Sequence, residues 1–200
     1  MKSPIFAAAL LLATPIAAQV AAPAPVTAAP VAAERGDAEQ AVYEAGEIVK
    51  AADDAFGEAS EAVAKVIERV FADMGKPNAY IVGREGSGAL VLGLRYGQGE
   101  LHHKVEGTRT VHWTGPSIGP DVGGDASRTF TLVYNLNDGN DLFRRYPAVE
   151  GKAYLIGGVS ANYHQRGDVV LVPIRLGAGW RLGANVGYLK YSKEGKVFPF

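Results

Sequence analysis

From Ala79 to Tyr191 the chain returns again and again to one pattern: apolar runs rich in β-branched and aromatic residues, each ended by glycine or polar turn chemistry. Within the runs, apolar and other residues alternate. Leu90, Leu92, Leu94 and Tyr96 share one face, as do Phe130, Leu132 and Tyr134, and as do Trp180, Leu182, Ala184, Val186 and Tyr188. Strands are predicted at 79–82, 89–96, 100–105, 108–113, 129–135, 152–163, 169–175 and 179–191. Turns are expected at Gly97 with Gly99, at Glu106 with Gly107, and at Gly167 with Asp168. The 25 glycines among 200 residues exceed the usual share. Gly179, Gly183 and Gly187 recur on one face of the last run, as in a strand bent hard enough that only hydrogen fits. The fold class that follows is mainly β, a small soluble antiparallel β-barrel. The segment Asn137 to Tyr146 does not alternate; it reads as a turn and a short helix near 138–146, with Leu142, Phe143 and Tyr146 packing back on the sheet.

One or two N-terminal α-helices precede the strands. Val42, Ala45, Ile48, Val49, Ala52 and Phe56 form one stripe at helical spacing, broken by Gly57. Val63, Val66, Ile67, Val70 and Met74 form a second, with Ser60 as N-cap and Gly75 with Pro77 as the stop. The polar face of the second helix is mixed in charge rather than basic, which suits a cover for the sheet better than a membrane-surface helix. Upstream, Lys2, the apolar run from Ile5 to Ala13, Pro15 and the small residues Ala17 and Ala18 have the three-part plan of a cleavable export signal. The run is shorter than the roughly 20 residues that span a bilayer. The expected organisation is a signal peptide at 1–18, an Ala/Pro-rich disordered spacer at 19–36, a helical segment at 37–76 packing on the barrel, and the β-barrel domain at 77–200.

Composition closes several routes. A formal charge of −1 offers no electrostatic footprint for nucleic acid. Without cysteine there is no disulfide, thiolate nucleophile, Cys-based zinc site or lipid-bearing N-terminal cysteine. His102 and His103 are adjacent, so a strand sends them to opposite faces, and no compact ligand set forms with His112 and Asp121. In Asn135 to Asp141 glycine stands at the fifth rather than the sixth position of a calcium loop, so it reads as turn chemistry. Gly83 to Gly88 is followed by a strand and lacks the Lys-Ser/Thr pair of a phosphate loop, so it reads as a hairpin turn. Ser87, Ser117, Ser127 and Ser160 lie in no nucleophile elbow. No catalytic residue, metal or cofactor is therefore expected. The best ligand-binding candidates gather around one glycine-rich loop: Ser117, Asp121, Gly123, Gly124, Asp125 and Arg128. There the aspartates either bind a small ligand at the barrel mouth or accept backbone N–H bonds and pair with Arg128 to fix the loop.

Three runs carry a family resemblance: YIVGREGSGALVLGLRYGQG, VHWTGPSIGPDVGGDASRTFTLVYNL and YPAVEGKAYLIGGVSANYHQRGDVVLVPIRLGAGWRLGANVGYLKY. From about Phe56 onward the chain resembles the envelope integrity protein A (EipA) family of Gram-negative bacteria. The resemblance implies a secreted periplasmic protein, folded as a small soluble β-barrel, needed for envelope integrity and without known catalytic activity. The order of glycine-rich loop, DASRTFTLVYNLNDGNDLF and KAYLIGGVSANY is also similar to SYLF lipid-binding domains, although the basic residues that would grip a phosphoinositide are sparse.

Three readings follow. The first is a periplasmic barrel binding a lipid or lipid-like envelope component, peripheral to the envelope and without a transmembrane helix. The second is a structural factor with a filled barrel and no ligand. The third is an outer-membrane barrel. Short runs, Pro173 within one of them, and Lys193, Glu194, Lys196 and Pro199 near the C-terminus count against the third. Trp113, Phe130, Tyr134, Tyr154 and Trp180 are large enough to fill the barrel, and spacing alone does not assign them all to one side.

Overall fold

A computed structural model of the chain describes residues 41–57, 61–88, 92–118, 127–176 and 187–195. Two helices, α1 (Ala45–Phe56) and α2 (Glu61–Met74), precede eight strands. These are β1 (Ala79–Gly88), β2 (Leu92–His103), β3 (Gly107–Ile118), β4 (Ser127–Tyr134), β5 (Arg145–Ile156), β6 (Val159–Arg166), β7 (Val169–Leu176) and β8 (Tyr188–Ser192). They close into a barrel in the order β1-β2-β3-β8-β5-β6-β7-β4, with every neighbouring pair antiparallel. The expected barrel, with its two preceding helices, is the observed fold. The expected signal peptide and spacer, Ser60, and Trp180 with Gly179 and Gly183 lie outside the described residues.

The boundaries differ in two instructive places. Gly97 and Gly99, read as a turn, lie inside the single strand β2, opposite Trp113 and Val111 of β3. A Cβ at Gly97 would stand 2.1 Å from Trp113 Cε2, and one at Gly83 would stand 2.6 Å from Cη2. These glycines make room for an indole rather than for a reversal, and β1 runs through the segment read as a hairpin turn. Conversely, the run 152–163 is two strands, reversed at Gly157 and Gly158, both in the left-handed region at φ 55° and 80°.

Alternation along each strand separates two cores. Inward-facing Ala79, Ile81, Leu101, Val111, Val133, Leu171, Leu189 and Tyr191 surround Trp113. One end of this interior is stoppered by the 3-10 turn Gly139–Leu142, through Leu136, Leu142 and Phe143. Asn78 clamps that segment: its Nδ2 donates to the Leu136 carbonyl at 2.8 Å, and its Oδ1 accepts from the Leu136 N–H. His103 donates from Nε2 to the same carbonyl at 2.6 Å, while its Nδ1 accepts from the backbone of Val105 and Glu106.

The second core lies outside the barrel wall. Phe130, Leu132, Tyr134, Ala161, Tyr163, Val170, Val172 and Ile174 face outward and are covered by Ile48, Ala52 and Phe56 of α1 and by Val63, Val66, Ile67 and Val70 of α2. The apolar stripes of the two helices thus bury the one outer face that is itself apolar. Of the described large residues proposed to fill the barrel, only Trp113 does so. Phe130, Tyr134 and Tyr154 lie beneath the helices. α1 begins at a capping box in which Glu44 and Glu47 exchange side-chain and backbone bonds. On β2, β3 and β8, away from the helices, the outward positions mix Gln98, Glu100, Thr108, Thr110 and Lys190 with Leu94, Tyr96, Pro116 and Tyr188 near one end. These described outward positions form no apolar belt, which runs against the outer-membrane reading. No helix among the described residues is long and apolar enough to cross a membrane.

Candidate functional site

At the barrel end opposite the 3-10 turn, the inward positions become polar. Glu85 continues the inward series of β1, Arg95 that of β2 and Arg175 that of β7. Arg175 clasps Glu85 with two bonds, Nε to Oε1 at 2.9 Å and Nη2 to Oε2 at 3.1 Å. Arg95 Nε stands 3.2 Å from the same Oε1, and Trp113 Nε1–H donates to Oε2 at 2.8 Å. All four side chains are largely or wholly enclosed. Thr129 and Ser160 flank Arg175 across the neighbouring strands, and one further nitrogen, Arg175 Nη1, is buried without a hydrogen-bond partner.

This arrangement sets the protonation of two groups. Burial alone pushes the Glu85 carboxyl up, but the adjoining Arg175 and Arg95 charges and the bonds from Arg175 and Trp113 outweigh it and bring the pKa to about 2. His164 is pushed down to about 3 by burial first, then by the nearby Arg175 and Arg95 charges, against the opposing pull of its bond to Tyr146. Its Nδ1–H donates to the Tyr146 carbonyl at 3.3 Å, so the ring is held as the neutral Nδ1–H tautomer. A carboxylate titrating near 2 and an imidazole near 3 are poorly matched to proton transfer at neutral pH. The cluster joins β1, β2, β3 and β7 across the barrel and works as a charged strut.

The residues expected to bind a ligand are distributed differently. Asp121, Gly123, Gly124 and Asp125 lie outside the described residues. Ser117 sits in β3 opposite Gly93 of β2. Arg128 lies in β4 and points outward, donating from Nη1 to the Ala55 carbonyl at 3.2 Å in the last turn of α1. There it satisfies a carbonyl that the helix end leaves open, a positive charge at the negative end of the helix dipole. Ser117 and Arg128 are therefore not brought together: β2 and β1 separate their strands in the barrel order. Glu85, Arg95 and Arg175 had a legible signal, being charged residues in phase with the inward positions Ile81, Gly97 and Leu171. Reading Gly83 to Gly88 as a turn removed that phase. Among the described residues no group of three or more His, Asp or Glu side chains is placed to hold a metal ion.

The model of the family described as Envelope integrity protein A matches residues 41–200, four-fifths of the chain. The chain belongs to the EipA family. It is also similar to a solved structure, the crystal structure of a beta-barrel-like, uncharacterized protein from Brucella abortus. That protein is 48% identical, with a TM-score of 0.74, and the match covers 80% of this chain and 99% of that one. No curated protein matches the chain. For this EipA-family chain, membership and fold agree with the resemblance seen in the three sequence runs, and the family description associates it with the envelope.

Proposed function

We propose that the protein is exported to the periplasm, with Met1 to Ala18 removed, and that it supports envelope integrity without catalysis, as a rigid barrel acting through its outer surface. The observation that carries this reading is the packed interior. Trp113 rests on Gly83 and Gly97, the Glu85–Arg175–Arg95 strut lies beside it, and Leu136 and Leu142 stopper the other end. A barrel filled in this way has its chemistry committed to its own strands, so contact with a lipid or lipid-like envelope component takes place outside it. The family description supports the association with the envelope. The protonation of Glu85 and His164, both far from neutral, supports a role other than acid–base catalysis.

The test is complementation. Cells lacking the gene become sensitive to detergent and to antibiotics excluded by an intact envelope. The full chain restores resistance, and a chain without residues 1–18 does not. Restoration by the signal-less chain, or unchanged sensitivity on deletion, contradicts the reading.

A further inference from the structure

A second polar feature lies outside the barrel, at the end opposite the charged strut. Between Ala148↔His164 and Ala153↔Asn162, four residues of β5 (149–152) face the single residue Tyr163 of β6. This bulge carries Val149 and Lys152 away from the ladder, with Gly151 in the left-handed region at φ 71°. A hollow of about 310 Å³ opens beside it, at the small end of the ~300–1,000 Å³ range of ligand pockets. Met74 at the end of α2, Val149 and Val170 supply its apolar lining.

The polar lining is made of two amides, one carboxylate residue and one lysine. Asn135 Nδ2 is used on the Asp168 carbonyl at 2.9 Å, and Gln165 Nε2 on the Gly167 carbonyl at 2.9 Å. Each amide therefore keeps its carbonyl oxygen and one N–H open, next to Asp168, which has no ion-pair partner among the described residues. Asn135 is held with φ at 58°, a conformation that asparagine tolerates better than other side-chain-bearing residues. Lys152 rests with Nζ 5.8 Å from the Tyr163 ring centroid, beyond ion-pair distance of any described carboxylate, and its charge helps hold the Asp73 carboxyl below its ordinary value. The backbone neighbours of the hollow also surround Tyr134, which adjoins Asn135 and pairs with Val170. Its buried hydroxyl has no hydrogen-bond partner.

Three acceptors, the N–H left on each amide, one cation and an apolar floor complement a ligand with several hydroxyls, which both donate and accept, one carboxylate and a C–H face. We propose that this hollow binds a single acidic sugar residue, a hexuronate or its equivalent within a surface glycan. The hydroxyls donate to Asn135 Oδ1, Gln165 Oε1 and Asp168, and the carboxylate pairs with Lys152. A peptide carboxy-terminus would satisfy Lys152 but supplies fewer donors for the three acceptors. The site is independent of export and of the filled interior.

The test is an NMR titration of the isotopically labelled full chain with sodium D-glucuronate, D-glucose, sodium acetate and N-acetyl-Ala-Ala. Glucuronate is expected to give saturable shifts confined to residues 149–152 and the Asn135 and Gln165 side-chain amides. Glucose binds the same place more weakly, and acetate and the dipeptide do not saturate it. Gln165→Leu weakens both sugars roughly tenfold, the size of one lost hydrogen-bonding group. Lys152→Met, at an exposed position that leaves the rest of the spectrum unchanged, abolishes the preference for glucuronate over glucose. Absence of saturation, shifts centred elsewhere, or acetate or dipeptide binding as tight as glucuronate overturns the proposal.

Discussion

Trp113 determines how this barrel is filled, because a side chain of its size fits only where facing positions have no Cβ. Gly97→Ala would place a methyl carbon 2.1 Å from the indole. Overpacking of this kind costs about 1–3 kcal/mol, read as a lowered urea midpoint. Trp113→Phe in the Gly97→Ala background should recover part of the loss, which a clash elsewhere would not allow. Glu85→Gln leaves the buried guanidinium of Arg175 without its counter-charge, and breaking such a pair typically costs about 3–5 kcal/mol. Glu85 and His164 together predict acid sensitivity. Both have folded pKa values below their ordinary ones, so each contributes stability in full above its ordinary value and loses it as pH falls toward the folded value. For His164 the window runs from about 6.5 down to about 3, and for Glu85 from about 4.5 down to about 2. Stability against thermal unfolding should therefore fall from pH 6.5 to 4.5 with a limiting slope of about 1.4 kcal/mol per pH unit from His164 alone. In His164→Gln that slope disappears, while the loss below pH 4.5 remains. A profile unchanged by the substitution would show that His164 is not buried neutral.

The two helices do at the level of elements what interior packing does at the level of residues: they bury an outer barrel face that the sequence made apolar. Ile67 is enclosed between α2 and the wall, and Ile67→Ala should cost about 2–5 kcal/mol without disturbing the Trp113 environment. Near-ultraviolet circular dichroism checks the second half of that expectation. The helices and the barrel class were legible because their periods, 3.6 and 2, survive in the residue pattern itself. Strand boundaries were less so, because glycine carries two meanings. At Gly157 and Gly158 it reverses the chain, whereas at Gly97 and Gly99 it makes space beside Val111 and Trp113. Only the partner strand distinguishes these roles. The charged strut was missed in the same way: reading Gly83 to Gly88 as a turn broke the inward phase that carries Glu85, whose partner Arg175 lies 90 residues on. The glycine-rich loop drew attention for its own composition, while Arg128 at its edge turned out to serve the end of α1.

For the molecule as a whole, closure explains both what the barrel does and what it leaves to its surface. The eight strands pair around a complete circuit, so no described edge is offered for strand addition. The packed indole and the ion cluster occupy the described interior. The central claim is that this interior is filled by the protein's own side chains. Native mass spectrometry of the chain after export and mild purification, followed by solvent extraction, tests it most directly. The account predicts the mass of the polypeptide without residues 1–18, no stoichiometric lipid in the extract, and tryptophan fluorescence unchanged by extraction. One lipid per chain, whose removal shifts that fluorescence, would contradict it.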